Sequence, residues 1–146
     1  MSNTISRFQF SIVSYPHKDI ALNYDRKTGL FEYRNREEFI GMNIDGPYRF
    51  ICRSNPLEEH LITEVNGLSE DLTIDPILVE AFVKYVKQYC KHWKKEYSSD
   101  IIDGESWEFT LETDDFKFTS SGHHNWPGNF EVFCDKLMKM TGGKMF

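Results

Sequence analysis

The sequence has no long apolar run and no excess of basic residues, and these two absences narrow the classes of function. Its 146 residues include 17 Lys and Arg against 23 Asp and Glu, which gives a formal net charge of −6. Nonspecific binding to nucleic acid or to an anionic membrane surface needs a basic surface, so we expect neither. A membrane-spanning helix needs roughly 20 apolar residues in succession, so we expect none.

Cysteine is scarce as well. The three cysteines, Cys52, Cys90 and Cys134, lie far apart and form no C-x-x-C pair. Isolated thiols in an odd number do not make a disulfide framework and are typical of a reducing compartment. The first residues, MSNTISRFQF, have neither the basic nor the apolar region of a secretory signal. The sequence therefore predicts a cytoplasmic protein with buried, unreactive thiols.

Motifs that carry chemistry are missing too. There is no G-x-S-x-G nucleophile elbow. The only glycine pair, Gly142–Gly143, follows the last helical pattern, whereas a phosphate-binding loop precedes a helix. Adjacent His123 and His124 point apart in an extended backbone, so they do not gather the three or four ligands of a metal site. We expect no catalytic residue, no metal and no cofactor.

What the chain does contain is an abundance of aromatic residues, many of them in alternating patterns. Twelve Phe, seven Tyr and three Trp supply material for a packed core. In RFQFSIVSY, and again in IALNY, apolar and polar residues alternate as in half-buried strands. The DRKTG between IALNY and the following LFEY predicts a hairpin in which Asp25 caps turn amides and Gly29 adopts a positive φ. A further strand is predicted from Tyr48 to Arg53, whereas residues 34–42 and 56–67 stay ambiguous.

Two segments have the features of helices. Asp75 suits an N-cap and Pro76 the first helical position of a long helix that reaches Tyr97. Its predicted apolar face consists of Leu78, Phe82, Tyr85, Val86, Tyr89 and Trp93. Its predicted solvent-exposed stripe consists of Lys84, Lys87, Lys91 and Lys95. A second helix is predicted over residues 127–141, ended by the glycine pair, with one face made by Phe130, Phe133, Cys134 and Leu137.

The segment SWEFTLETDDFKFT between the two helices predicts a second hairpin. Trp107, Phe109 and Leu111 would share one face, and the chain would turn at residues 113–115. No internal repeat or Pro/Gly/Ser-rich linker divides the chain, so we expect a single domain over residues 1–146. The elements together predict an α+β fold, an antiparallel sheet built from hairpins with two main helices packed on one face.

Spaced aromatic and turn residues form a pattern in the last third of the chain: Trp93, Tyr97, Asp103, Gly104, Trp107, Ser121, Gly122, Pro127 and Phe130. This pattern resembles small proteins, mostly of Firmicutes and related bacteria, with W-x-x-x-Y, D-G-x-x-W and S-G-x-N-x-Y-P-x-x-F. Trp126 stands at the usual Tyr of that motif and His124 at an Asn position. The resemblance implies the fold and carries no activity. We expect Trp93, Tyr97 and Trp107 to meet where the long helix leads into the hairpin.

The feature that bears most on function is the segment from Glu96 to Asp115, which has eight acidic residues and no Lys or Arg. Charges on a strand edge discourage edge-to-edge aggregation, and a surface of one sign also steers a basic partner. We predict a non-catalytic module that binds another protein, as immunity and inhibitor proteins do. Its contact surface would be formed by Asp103, Glu105, Glu108, Glu112, Asp114 and Asp115.

An alternative is a small-ligand or catalytic site in the loop SSGHHNWPGNF. Such a site would be lined by His123, His124 and Trp126. The loop also fits a purely architectural role, with Gly122 at a positive φ, Pro127 in the first turn of the last helix, and Trp126 packed on Phe130. The surplus of aromatic residues would also suit a homodimer.

Overall fold

Alternating apolar residues produce the longer strands in the order that the sequence predicts. The computed structural model describes residues 4–14, 18–35, 48–51, 57, 70–144 and 146. Outside these ranges lie Pro16, expected to end the first strand, Arg53 at the end of another, and the thiol of Cys52. Most of the two ambiguous segments, 34–42 and 56–67, also lies outside them.

The described residues form one sheet of six main strands and two short ones. In chain order the strands are β1 (Ile5–Ser14), β2 (Lys18–Asp25), β3 (Leu30–Asn35), β4 (Tyr48–Ile51), β5 (Glu70–Asp71), β6 (Glu96–Tyr97), β7 (Ser106–Thr113) and β8 (Lys117–His123). Their order across the sheet is β5-β4-β3-β2-β1-β7-β8-β6. The N-terminal strand β1 therefore pairs with β7, from the C-terminal half of the chain, at the centre of the sheet.

Both predicted hairpins are confirmed. In the β2–β3 turn the amide of Lys27 donates to Asp25 Oδ1 over 2.9 Å, and Gly29 has a φ of 75°. Strands β7 and β8 pair antiparallel across the second turn, where the amide of Thr113 donates to the carbonyl of Phe116 over 2.8 Å. In each case the polar or glycine residues of the turn, between two alternating segments, indicated where the hairpin reverses.

The expectation of a purely antiparallel sheet is wrong, because β5 pairs parallel with β4 and β6 parallel with β8. Strands of two residues are too short to show alternation, so the sequence does not mark them. Two hydrogen bonds to backbone carbonyls hold the chain just before β6 in place. The amide of Ser121 donates to the carbonyl of Lys95 over 3.1 Å, and the hydroxyl of Ser120 donates to the carbonyl of Lys94 over 2.6 Å. The α+β class is confirmed, with a mixed sheet.

The first helix, α1 (Pro76–Tyr85), begins as predicted and ends differently. Asp75 caps it by accepting from the amides of Ile77 and Leu78 over 2.9 and 3.4 Å. The helix continues into a π turn (Val86–Cys90) and stops well before Tyr97. Its buried side is only partly the predicted one, since Leu78 and Tyr89 are exposed. The side chains buried along α1 and the π turn are Val79, Phe82, Val83, Val86 and Cys90.

The second helix, α2 (Phe130–Met140), starts three residues later than predicted. Pro127 lies in the preceding turn, where its carbonyl accepts from the amide of Phe130 over 3.1 Å. Gly142 and Gly143, with φ of 70° and 96°, end the helix as expected. The residues that α2 buries are Phe130, Phe133, Leu137 and Met140.

Aromatic rings join both helices to the central strands. Phe82 of α1 and Phe133 of α2 both contact Phe109 of β7, with ring centroids 6.2 and 4.8 Å apart. They also contact Phe8 and Phe10 of β1, at 5.7 and 5.2 Å. Rings of this size each bury about 150–250 Å², so these contacts make up much of the core.

The expected meeting of three motif rings is confirmed. Trp107 lies with its centroid 5.8 Å from that of Trp93 and 5.9 Å from that of Tyr97. The Trp107 side chain is 1% exposed. These rings fix the chain that leads from the π turn to β7, and with it the loop that carries Asp103 and Glu105.

Candidate functional site

The six predicted contact residues, here called the acidic row, lie on one strand and in the two loops that flank it. Asp103 and Glu105 precede β7, while Glu108 and Glu112 lie on it, and Asp114 and Asp115 form the turn after it. Glu108 and Glu112 alternate with the buried Trp107, Phe109 and Leu111, so their side chains leave the sheet on the opposite face. The strand alone has eight residues; at about 3.4 Å per residue the row extends well over 20 Å.

Ion pairs divide the acidic row into compensated and uncompensated charges. Glu105 pairs with Lys18 at 3.6 Å and Glu112 with Lys117 at 3.4 Å. Asp115 pairs with Lys87 at 3.1 Å, which takes that lysine out of the predicted solvent-exposed stripe. Within the described ranges, no cation lies at ion-pair distance from the exposed carboxylates of Asp103 and Glu108. The excess negative charge is therefore clearest at the start of β7.

His123 links the loop before β7 to the strand. Its Nδ1 lies 2.7 Å from Ser106 Oγ, and its Nε2 lies 2.7 Å from the carbonyl oxygen of Ile101. Because a carbonyl only accepts, a neutral ring donates from Nε2 and accepts the serine proton at Nδ1. Ser106 was not among the predicted site residues, since only the register that pairs it with His123 reveals it. With both nitrogens engaged, the imidazole holds the loop in place.

His124 points to a different set of neighbours and has an unusual backbone. Its φ is 47°, the left-handed region, where Asn and Gly are easier to accommodate. A Cβ on Gly104 would lie 2.8 Å from its Nδ1, so the imidazole fills the space above that glycine. Its ring centroid is 5.0 Å from that of Trp126. The two adjacent imidazoles thus serve two separate clusters.

We expect His124→Asn to preserve or raise stability and His124→Val to lower it by about 1–3 kcal/mol, because a β-branched residue is strained at this φ. Asn is also the residue that the motif places here. Chemical denaturation of the two variants checks this, with the same two substitutions at exposed His92 as the control. Equal stabilities of His124→Asn and His124→Val would contradict it.

Trp126 borders a groove rather than seating the last helix. The groove, of about 330 Å³ and here called the Trp126 groove, is lined by Glu105, Trp126, Pro127, Gly128, Phe130 and Glu131. The side chain of Trp126 is 36% exposed, and its ring contacts His124. Phe130 packs on Trp107, 5.0 Å between centroids, and also lines the groove beside Trp126, so the expected packing of Trp126 on Phe130 stays a prediction. Neither His123 nor His124 lines the groove.

Gly122 has a role other than the predicted one. Its φ is not positive. It is buried in β8 opposite Trp107, and a Cβ there would lie 2.4 Å from Trp107 Nε1 and 2.5 Å from the carbonyl oxygen of Asn125. The glycine is required by close approach of an indole and not by a turn.

Two thiols in the described ranges are poor nucleophiles. Burial raises the pKa of Cys90 and that of Cys134 to about 12, so both are protonated at neutral pH. At Cys134 the charge of Lys18 lowers the pKa, while those of Glu105, Asp135 and Glu131 raise it further.

In the part of the chain that the structure describes, no three His, Cys, Asp or Glu side chains are grouped to hold a metal ion. No helix there is long and apolar enough to cross a membrane. Comparison with known proteins gives no match for this chain, whether among family models, curated proteins or solved structures.

Proposed function

We propose that this protein is a non-catalytic cytoplasmic module that binds a basic protein, in the manner of an immunity or inhibitor protein. The observation that carries the proposal is the acidic row, whose carboxylates are distributed along β7 from the loop before it to the turn after it. Single-sign charge of this kind accelerates the encounter with an oppositely charged partner. The exposed carboxylates of Asp103 and Glu108 contribute most.

The open face of the sheet is the surface that such a partner would contact. We propose that α1 and α2 cover the other face, since Phe82 and Phe133 both contact Phe109. Glu108 and Glu112 alternate with Phe109 along β7, so they lie on the face that these helices leave open.

Exposed apolar side chains adjoin the start of the acidic row. Ile102 is 93% exposed and Val13 is 42% exposed. Val13 pairs in register with Ser106, the residue that His123 ties to the loop of Ile101 and Ile102. Apolar side chains surrounded by charged ones are typical of the surfaces by which proteins recognise each other.

The side chains that could take part in catalysis are held in other interactions or kept unreactive. Both nitrogens of His123 are hydrogen-bonded, and the Nε2 partner is a backbone carbonyl. The raised pKa of Cys90 and of Cys134 keeps both thiols protonated at neutral pH. These observations support a binding role over the alternative of a catalytic site in the histidine loop. We also propose kinship with the small Firmicutes proteins, because the three motif rings share one contact cluster.

The test is a charge reversal matched for total charge. Asp103→Lys with Glu108→Lys breaks no ion pair within the described ranges. Glu80→Lys with Asp135→Lys changes the charge equally on the helices and breaks the exposed Glu80–Lys84 pair, which contributes little to stability. A protein captured from a lysate of the encoding organism is identified, purified and titrated against all three forms. We expect the first double variant to weaken binding at least about tenfold, and the second to leave it nearly unchanged.

Two results would contradict the proposal. One is that no captured protein binds saturably as a purified component. The other is that the helix variant loses as much affinity as the β7 variant, which would make net charge alone responsible. Thermal unfolding of both variants establishes that each remains folded.

A further inference from the structure

The Trp126 groove combines two features that the sequence had assigned to different sites. Glu105 belongs to the predicted acidic surface, and Trp126 belongs to the alternative ligand site. The structure places both, with Glu131 of α2, around one space of about 330 Å³. An aromatic wall with two carboxylates is a surface on which a cation gains from ring and charge together.

One lining carboxylate of this groove already pairs with a cation of the chain itself. Lys18 Nζ lies 3.6 Å from Glu105 Oε2, with about a quarter of each side chain exposed, 26% and 27%. The groove is lined by a second carboxylate, that of Glu131. One ammonium therefore faces two carboxylates, and the groove retains a net negative charge.

We infer that the Trp126 groove receives an arginine side chain of the partner protein. An indole face and two carboxylates match the flat, forked guanidinium better than the compact ammonium of lysine. Tryptophan and arginine are also the residues that most often carry the binding energy of protein interfaces. This inference rests on the proposed function for the existence of a partner, but the groove is testable without one.

The test uses ethylguanidinium as the probe and N-ethylurea as its neutral counterpart. Both are titrated into the ¹⁵N-labelled protein while the indole resonances are followed, and Trp126→Phe identifies the resonance of Trp126. We expect ethylguanidinium to shift this resonance saturably with millimolar affinity, and N-ethylurea to leave it in place. The indoles of Trp93 and Trp107, 9% and 1% exposed, act as internal references.

Charge variants then locate the site. Glu131→Gln should weaken binding of the probe about two- to fivefold, the effect of losing one exposed carboxylate–cation contact. Lys18→Gln should strengthen it by a similar factor, because it frees Glu105 from its ion pair. Glu108→Gln, on the open face of β7, is the matched control and should change nothing.

Equal shifts with N-ethylurea, or equal losses in Glu131→Gln and Glu108→Gln, would overturn the inference. The two proposals fail separately. If ethylguanidinium binds as expected but no protein partner exists, only the proposed function is wrong. If a partner binds through the acidic row but Trp126→Ala leaves its affinity intact, only the groove is wrongly assigned.

Discussion

Gly122→Ala should destabilise the protein by about 3–5 kcal/mol, a large share of the roughly 5–15 kcal/mol by which an ordinary domain is stable. The added methyl would lie 2.4 Å from Trp107 Nε1 and 2.5 Å from the carbonyl oxygen of Asn125. Neither atom is the end of a flexible side chain. The Trp107 ring is held against Trp93, Tyr97 and Phe130, with centroids 5.8, 5.9 and 5.0 Å away.

A hydrogen bond makes the same substitution more costly. Trp107 Nε1 donates to the carbonyl oxygen of Asn125 over 2.9 Å, directly beside the position of the new methyl. Moving the indole aside would leave a buried N–H without an acceptor, which costs about 1–3 kcal/mol in addition to the overpacking. Urea denaturation measures the loss. Gly128→Ala is the matched control, since a Cβ there meets nothing within 4 Å; equal effects of both substitutions would contradict the prediction.

Asn129→Ala should cost about 2–4 kcal/mol, because it removes the partner of several polar groups at once, two of them in part-buried hydrogen bonds. Asn129 Oδ1 accepts from the indole of Trp93 over 2.7 Å. Its Nδ2 donates to the hydroxyl of Tyr85 over 2.9 Å and to the carbonyl of Tyr89 over 3.4 Å. The Tyr89 carbonyl belongs to the π turn, whose irregular hydrogen bonding the asparagine completes.

Denaturation together with near-ultraviolet circular dichroism tests this, since the environment of Trp93 should change along with stability. Asn125→Ala is the control: its exposed side chain donates one bond, to the carbonyl of Ser98 over 2.9 Å, and its loss should cost less than about 1 kcal/mol. A loss in Asn129→Ala no greater than in Asn125→Ala would show that the π turn needs no such partner.

For the acidic row, the sequence gives the number of carboxylates but not the cations that lie beside them in the structure. All six predicted residues lie on β7 or in the loops that flank it. Three of them, however, pair with lysines: Glu105, Glu112 and Asp115. Those lysines come from β2, β8 and the π turn. A charge count along the chain cannot include cations supplied by other elements, so it overstates the free negative charge of the segment.

The histidine loop shows the reverse case. The sequence placed His123, His124 and Trp126 together because they are neighbours in the chain. In the structure His123 bonds Ser106 and the loop at Ile101, while His124 and Trp126 contact each other. The direction of each side chain depends on strand alternation and on one left-handed residue, which adjacency does not reveal.

By itself the sequence determined the α+β class, both hairpins and the cap of α1, and its spaced motif predicted the meeting of the three motif rings. The first three features depend on alternation, turn chemistry and capping, all of which act over a few neighbouring residues. Only the tertiary structure decided the parallel pairing of β5 and β6, the side of α1 that is buried, and the hydrogen bonds of Asn129. It also decided that Glu105 and Trp126 share a groove. Such features arise from backbone pairing and packing between distant segments, where no single stretch of sequence carries the signal.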